Sequence, residues 1–404
     1  MTFDEEVTGL FRAERGRITA TLIRLTGDWD LAEECVQDAF ARALECWPGE
    51  GVPQRPGAWL TTTARNRALD PLRRSGVEAA KLREVVAVPD DGQDEVDVFG
   101  DDLLRLIFTC CHPALTLEAR VGLTLRTVAG LTTAEIARAF LVPEATMAKR
   151  LVRARQKIRN ARIPYRVPPA HLLPERTGGV LGVLYLLFNE GYSASAGAEL
   201  LRRDLCAQAI RLARTLVGLM PDEPEAVGLL ALTLLQDSRR EARFDASGDL
   251  VPLTDQDRSR WDGAQVAEGL ALLDGALRRG RPGPYQVQAA IAACHAAAKR
   301  AEDTDWPQIA LLYGELEKFV PSPVVRLNRA VAVAMADGPA AGLALVDQLG
   351  DEVTGHLLPA TRADLLRRLG RTTEALAAYE RARELAPTEV ERRHLAGRIT
   401  ALRA

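Results

Sequence analysis

The sequence predicts an all-α protein with more than one domain. Alanine, leucine and arginine are abundant and aromatic residues make up only 5% of the chain, a composition that favours helices. Apolar residues recur at helical spacing through most of the sequence. At 404 residues the chain is longer than one hydrophobic core usually organises, so we expect two or three domains.

The first part of the chain predicts two amphipathic helices in succession. Residues 1–26 carry an apolar face, and Gly27 with Asp28 marks its end. Residues 30–47 repeat this pattern with apolar side chains on the inner face. Spacing alone does not distinguish a solubilising outer face from a partner-binding one. The outer face of the second helix carries Glu33, Glu34, Gln37, Asp38 and Arg42.

A turn-rich loop at 48–56 leads to a third helix, 57–74, that mixes aromatic, polar and basic residues. This mixture is typical of surfaces for single-stranded nucleic acid, because bases stack on rings and arginines neutralise phosphates. Trp59 equally suits a place in the core. Pro71 disfavours helical geometry in the residue before it, so we expect a kink or an end there. The polar and basic candidates are Thr62, Arg65, Asn66, Arg67, Arg73 and Arg74.

The segment 76–100 is acidic and rich in turn residues, which predicts a flexible linker. A plain solvated tether and a segment that threads a basic channel are both compatible with it. A second module, 101–163, follows the linker.

Within this module, residues 132–162 predict a helix-turn-helix. Thr132 and Glu135 have the spacing of a capping box, and Pro143 suits the first turn of a second helix. Basic residues dominate the outer faces of that second helix, and a merely solvated basic face is the alternative. Agreement of cap, turn and apolar stripe favours DNA binding. The apolar stripe consists of Met147, Leu151, Ala154 and Ile158.

Composition limits the classes of function. The net charge of −3 requires any nucleic-acid surface to be local. The apolar stretch 178–188 is too short to span a bilayer, and no secretory signal precedes the six cysteines, so we expect a reduced, cytoplasmic protein without a membrane partner. Cys110, Cys111 and His112 lack a second ligand pair, so we expect buried thiols, no metal and no cofactor.

Two segments, DLAEECVQDAFARALECW and PGAWLTTTARNRALDPLRR, precede the helix-turn-helix in this order. With it they resemble regions 2 and 4 of bacterial sigma factors, specifically of the extracytoplasmic-function (ECF) group, which keeps only these two regions. The resemblance covers roughly the first 165 residues. It implies a chain that binds the RNA polymerase core and directs it to promoters, with region 2 as a helical bundle at 1–75 and region 4 at 101–163.

The resemblance also implies a role for each matching residue. Binding to the clamp helices of the largest polymerase subunit falls to Glu33, Glu34, Gln37, Asp38 and Arg42. Opening and reading of the −10 promoter element falls to the 49–56 loop, Trp59, Thr62, Arg65, Asn66, Arg67, Arg73 and Arg74, the last two depending on the effect of Pro71. Reading of the −35 element falls to Thr132, Thr133, Glu144, Ala145, Thr146, Lys149, Arg150 and Arg153.

The remaining residues, 164–404, predict a helical extension with repeats like those of tetratricopeptide (TPR) proteins. Small and aromatic residues in 364–387 follow the offsets of one repeat, and looser copies end at Pro221 and Pro321. Such stacks present a concave face, which here predicts a protein partner. The repeat positions are Gly370, Ala375, Tyr379, Ala382 and Pro387.

One stretch at the start of the extension is unusual, because polar Asn189 and Glu190 directly follow an apolar run. It lacks the base, metal spacing or phosphate loop of an enzyme site, so we expect a helix end with Gly191 as terminator. The segments FTCCHPAL and FNEGYSAS resemble sigma factors with a C-terminal helical extension. This implies that the extension acts in place of, or beside, a separate anti-sigma factor.

Two functions remain in view. The resemblance implies an alternative sigma factor that is regulated by its own C-terminal domain and is not an enzyme. The other candidate is a helix-turn-helix regulator that binds duplex DNA independently of polymerase, with the extension sensing a ligand or partner. Residues 28–74 discriminate between them, since a conventional regulator has no use for a strand-opening segment.

Overall fold

The computed structural model describes residues 3–74, 94–140, 142–192, 203–245, 250–350, 353 and 355–403. Within these ranges the regular elements are helices, and the only β-type pairing is an isolated bridge between Phe244 and Leu250. The all-α prediction is therefore confirmed. The chain divides into two compact units, Met1–Leu184 and Tyr185–Ala404.

The first unit contains both predicted modules. Its elements are α1 (Phe3–Thr26), α2 (Trp29–Glu50), α3 (Pro56–Arg74), α4 (Asp94–Cys110), α5 (Leu117–Leu123), a π-helical turn (Thr124–Val128), α6 (Thr133–Ala139) and α7 (Glu144–Asn160). Asp28 caps α2 by accepting hydrogen bonds from the backbone N–H groups of Asp30 and Leu31. The predicted division into three N-terminal helices is thus present.

Two helix boundaries differ from the sequence prediction. Helix α2 runs through Pro48 to Glu50, because proline interrupts only one hydrogen bond of the last turn, and Gly51 ends it at φ 82°. Helix α3 reaches Arg74 as in the predicted span 57–74, so it does not end at Pro71. Helix α4 begins at Asp94, inside the segment predicted as linker.

Helix α1 packs against both modules, which explains why they form one unit. Gly16 allows the closest approach, since a Cβ there would lie 2.6 Å from the Val128 carbonyl oxygen. Arg24 donates from Nε to the buried carboxylate of Asp102 over 2.9 Å. The Tyr165 hydroxyl donates to the Ala20 carbonyl oxygen over 2.9 Å. Regions predicted as separate modules are therefore in direct contact.

The second unit is a succession of helices, several of which begin with a proline in the first turn, where no backbone donor is needed. Helix α8 (Leu173–Tyr192) contains the point, at 184/185, where the chain divides into the two units. The elements that follow are α9 (Arg203–Leu219), α10 (Pro224–Asp237), α11 (Gly263–Leu277), α12 (Pro284–Ala297), α13 (Trp306–Phe319), α14 (Pro323–Ala336), α15 (Pro339–Leu349), α16 (Leu357–Arg368), α17 (Thr372–Leu385) and α18 (Glu389–Arg403).

The predicted repeat positions lie where close packing needs them. Helices α16 and α17 pack against each other, with Ala375, Tyr379 and Ala382 buried. Gly370 takes the left-handed conformation at φ 74° between the two helices, which is a position that favours glycine.

Gly191 was expected to end α8, and this prediction is wrong. Gly191 lies within the described helix and is buried. A Cβ there would lie 2.6 Å from the backbone nitrogen of Cys206. Glycine is therefore required by close packing of α8 against the start of α9.

Candidate nucleic-acid and polymerase interfaces

A capping box fixes the start of α6, the helix that precedes the basic helix α7. The Thr132 hydroxyl accepts from the Glu135 N–H over 3.1 Å, and the Glu135 carboxylate accepts from the Thr132 N–H over 2.7 Å. Pro143 occupies the cap position of α7, one residue earlier than the predicted first turn. The predicted helix-turn-helix is present as α6 and α7.

Helix α7 separates an apolar stripe from an exposed polar face. The stripe of Met147, Leu151, Ala154 and Ile158 is at most 5% exposed, as predicted. Thr132 is exposed and Thr133 half-buried at the start of α6. The residues predicted to read DNA from the first turns of α7 are all exposed: Glu144, Ala145, Thr146, Lys149, Arg150 and Arg153.

Arg155 on the same helix points to a different partner. Its guanidinium donates to Asp30 over 2.7 Å and to Glu33 over 2.9 Å, both on α2. Arg126 approaches the other Glu33 oxygen at 3.6 Å. Burial lowers the pKa of neighbouring Arg15 to about 10, with the Arg126 charge as the next cause. A cluster of buried charge thus joins α1 and α2 to the helix-turn-helix.

The acidic face of α2 is only partly exposed. Glu33 does not lie on the outer face as predicted, because its carboxylate is buried and ion-paired to Arg155 and Arg126. Asp38 is half-buried and accepts from Arg67 of α3 over 2.7 Å. The remaining members of this face are exposed: Glu34, Gln37 and Arg42.

On α3, Trp59 is half-buried and meets Trp47 edge to face at 5.4 Å between ring centroids. Its ring is thus part of the α2–α3 packing, and the residue is partly accessible to solvent. Other candidates on this helix are exposed or half-buried, whereas the side chains of Arg73 and Arg74 lie outside the described residues. The accessible candidates are Thr62, Arg65, Asn66 and Arg67.

The two adjacent cysteines are buried, as predicted for structural thiols. Cys110 and Cys111 are at most 2% exposed, and burial raises the pKa of the Cys111 thiol to about 11. Among the described residues, three or more His, Cys, Asp or Glu side chains nowhere converge as metal ligands would. Within the same part of the chain, every helix is too short or too polar to cross a membrane.

Three segments match known protein families. Residues 10–77 match Sigma-70 region 2, residues 105–158 match Sigma-70, region 4, and residues 176–277 match a family of unknown function, DUF6596. The first match contains α2 and α3, and the second contains the helix-turn-helix.

Similar full-length proteins are also known. An uncharacterized protein of Rhizobium meliloti (strain 1021) is 48% identical over 385 residues, covering 93% of this chain and 91% of that protein. A probable ECF RNA polymerase sigma factor of Mycobacterium tuberculosis (strain CDC 1551 / Oshkosh), SigI, is 28% identical over 178 residues, covering 42% of this chain and 60% of that protein. No solved structure matches the chain.

Proposed function

This chain belongs to the ECF type of the sigma-70 family and is similar to the Rhizobium meliloti protein over 93% of its length; on this basis we propose how it directs transcription initiation. Helix α2 docks on the polymerase core, α3 opens and reads the −10 element, and α7 reads the −35 element. The action consists of binding and strand opening without covalent chemistry. The C-terminal unit regulates when these surfaces are used.

The exposed face of α7 is the observation that carries the proposal. Lys149, Arg150 and Arg153 extend into solvent while the opposite stripe is buried, so the helix offers cations without losing its packing. Base edges are best reached from the N-terminal turns of a recognition helix, and arginines further along contact phosphates. Each phosphate contact releases counterions, which makes the affinity dependent on salt.

The polymerase contact is assigned to the part of α2 that remains open. Glu34 and Gln37 are exposed. Asp38 pairs with the exposed Arg67, and an exposed ion pair contributes little free energy, so Asp38 can pair with a polymerase cation instead. Carboxylates on an exposed helix face suit a basic partner surface, where complementary charge increases the association rate. Glu33 joins this contact only after its ion pairs to the helix-turn-helix have opened.

The strand-opening role is assigned to α3, because this helix carries the half-buried Trp59 together with the accessible Arg65 and Asn66. Base stacking on an aromatic ring stabilises separated strands, and neighbouring arginines hold the backbone. A regulator that binds only duplex DNA needs no such surface. The region 2 match therefore favours the sigma-factor function over the alternative regulator.

Run-off transcription with purified core polymerase tests this function. We expect the full chain to direct initiation from promoters recovered from genomic DNA. The double variant Lys149→Glu/Arg153→Glu should lose at least about 100-fold of that activity, since two phosphate or base contacts become repulsive.

The matched control is Lys318→Glu/Arg381→Glu, which reverses one exposed lysine and one exposed arginine of the other unit and so makes the same total charge change. It should leave activity unchanged. Equal activity of Lys149→Glu/Arg153→Glu and the wild type, with both folded by circular dichroism, would remove α7 from promoter recognition.

A further inference from the structure

We propose that the C-terminal unit contains a binding site for a flat, uncharged small molecule with a hydrogen-bonding edge. A cavity of about 530 Å³ opens between α8, α10, α12, α13 and the start of α14. This volume lies within the range of small-molecule sites, roughly 300–1,000 Å³. Binding at this site does not depend on the proposed function; only its effect on transcription does.

Aromatic residues are concentrated around this cavity. Four of the six tyrosines in the chain line it, namely Tyr185, Tyr192, Tyr285 and Tyr313. Tyr185 and Tyr285 meet edge to face at 5.4 Å, and Phe188 stacks on Tyr192 at 5.5 Å. Rings in these orientations offer faces and edges on which a planar ligand packs.

Polar groups on the walls are carboxamides and hydroxyls. Asn189, from the polar residues after the apolar run of α8, and Asn328 line the cavity. Gln288 lines it too, but its carboxamide accepts from the Tyr185 hydroxyl and donates to the Pro284 carbonyl oxygen. The carboxamides of Asn189 and Asn328 each carry a donor and an acceptor side by side, which complements the edge of a cyclic amide. Burial raises the pKa of Tyr285, and raises that of Tyr313 to about 12, so their hydroxyls stay neutral.

Among the described residues that line this cavity, no side chain is charged. A second cavity of the same unit differs, because Asp364, Arg367, Glu391 and Arg398 are among its lining residues. Transfer of an ion from water into an uncharged site is unfavourable unless a counter-charge is present. The first cavity therefore selects neutral ligands.

The aromatic walls are held in place by contacts behind them. Arg243 lies 3.8 Å above the Tyr192 ring, and Arg239 donates to the Tyr192 hydroxyl over 3.0 Å. The Glu225 carboxylate accepts from the Tyr285 N–H over 2.9 Å at the start of α12. A Cβ at Gly283 would lie 2.3 Å from the Glu225 carboxyl carbon, so glycine permits this cap.

Calorimetry and ligand-observed NMR on the full chain test the proposal. The probes are quinolin-2(1H)-one and isoquinolin-1(2H)-one, which are uncharged bicyclic lactams. The comparison compounds are quinoline-2-carboxylate and N-methylquinolinium, which keep the rings and add a charge. We expect the lactams to bind with millimolar or better affinity and both ions at least about tenfold more weakly.

Two variants locate the binding. Asn328→Asp is isosteric at an exposed position of the rim and should weaken lactam binding about tenfold. Gln308→Glu makes the same chemical change at an exposed position of α13 outside the cavity and should have no effect. Tyr313→Leu, checked for folding by circular dichroism, should also weaken binding because it removes a wall.

Three results would overturn the proposal: no lactam binding at millimolar concentration, equal binding of the ions, or equal effects of Asn328→Asp and Gln308→Glu. These measurements contain neither polymerase nor DNA. A negative result would therefore contradict the ligand site alone. The proposed sigma-factor function is tested separately by run-off transcription.

Discussion

The basic face of α7 and the acidic face of α2 both lie on amphipathic helices. They differ in how many of their charged side chains are exposed and not held in ion pairs within the protein. The predicted DNA-reading residues of α7 are all exposed, whereas α2 has Glu33 buried in ion pairs and Asp38 held by Arg67. One of the arginines that pair with Glu33 of α2 is Arg155, which belongs to α7. Helix α7 therefore keeps its own basic face open while one of its arginines covers part of the acidic face of α2.

Two neighbouring carboxylates of α2 show this difference in exposure. Glu33 and Glu34 have the same charge, but one stabilises the unit and the other faces solvent. A buried ion pair is costly to break by removing one partner, whereas an exposed charge contributes little to stability. Mutations can therefore test folding and docking separately.

The largest expected effect on stability comes from Glu33→Gln. It leaves Arg126 and Arg155 without their shared carboxylate in a buried site, so the free energy of unfolding should fall by about 3 kcal/mol. Urea unfolding followed by circular dichroism measures it. Glu34→Gln is the matched control and should change nothing; equal effects of the two would contradict the contrast between them.

The next effect concerns docking. Glu34→Lys/Asp38→Lys reverses the open part of the α2 face, so capture of core polymerase should weaken at least about tenfold. Co-purification with core, followed by a titration of affinity, measures it. Asp274→Lys/Glu384→Lys reverses two exposed carboxylates of the other unit, which is the same total charge change, and serves as control. Undiminished capture by Glu34→Lys/Asp38→Lys would place docking elsewhere.

A smaller effect is expected on the α7 side. Thr132→Ala removes the cap of α6 and should lower the free energy of unfolding by about 1 kcal/mol. Because the cap sets the start of the helix-turn-helix, promoter binding should weaken modestly as well. Thr133→Ala, which leaves the capping box intact, is the control in thermal unfolding. A stability loss as large in Thr133→Ala as in Thr132→Ala would show that the cap is unimportant.

Local patterns were sufficient for much of this architecture. The capping box at Thr132 and the apolar stripe of α7 depend on residues within one or two helical turns, and both were predicted correctly. The repeat positions Ala375 and Tyr379 were found because helix packing requires small and aromatic residues at fixed offsets. These features are encoded by neighbours in sequence.

The errors have a common physical origin in contacts between distant residues. Glu33 and Arg155 are 122 positions apart, so no spacing rule connects them. Gly191 is required by the start of the next helix, and the four-tyrosine cavity collects residues from 185 to 328. The many arginines elsewhere in the sequence could have suggested that Glu33 pairs with one of them inside the protein. Nothing in the sequence specified which arginine it is.

The ion pairs of Glu33 also define two states of the chain, one with these pairs formed and one with them open. The proposed polymerase binding depends on the fraction of chains in the open state. If docking requires the whole α2 face, only chains in which Arg155 has left Glu33 are competent, and the apparent dissociation constant equals the intrinsic one divided by that fraction. A chain open about 1% of the time would bind about 100-fold more weakly. Arg155 lies on the helix assigned to the −35 element, so DNA that draws α7 away raises the competent fraction. By thermodynamic linkage, polymerase then strengthens promoter binding by the same factor.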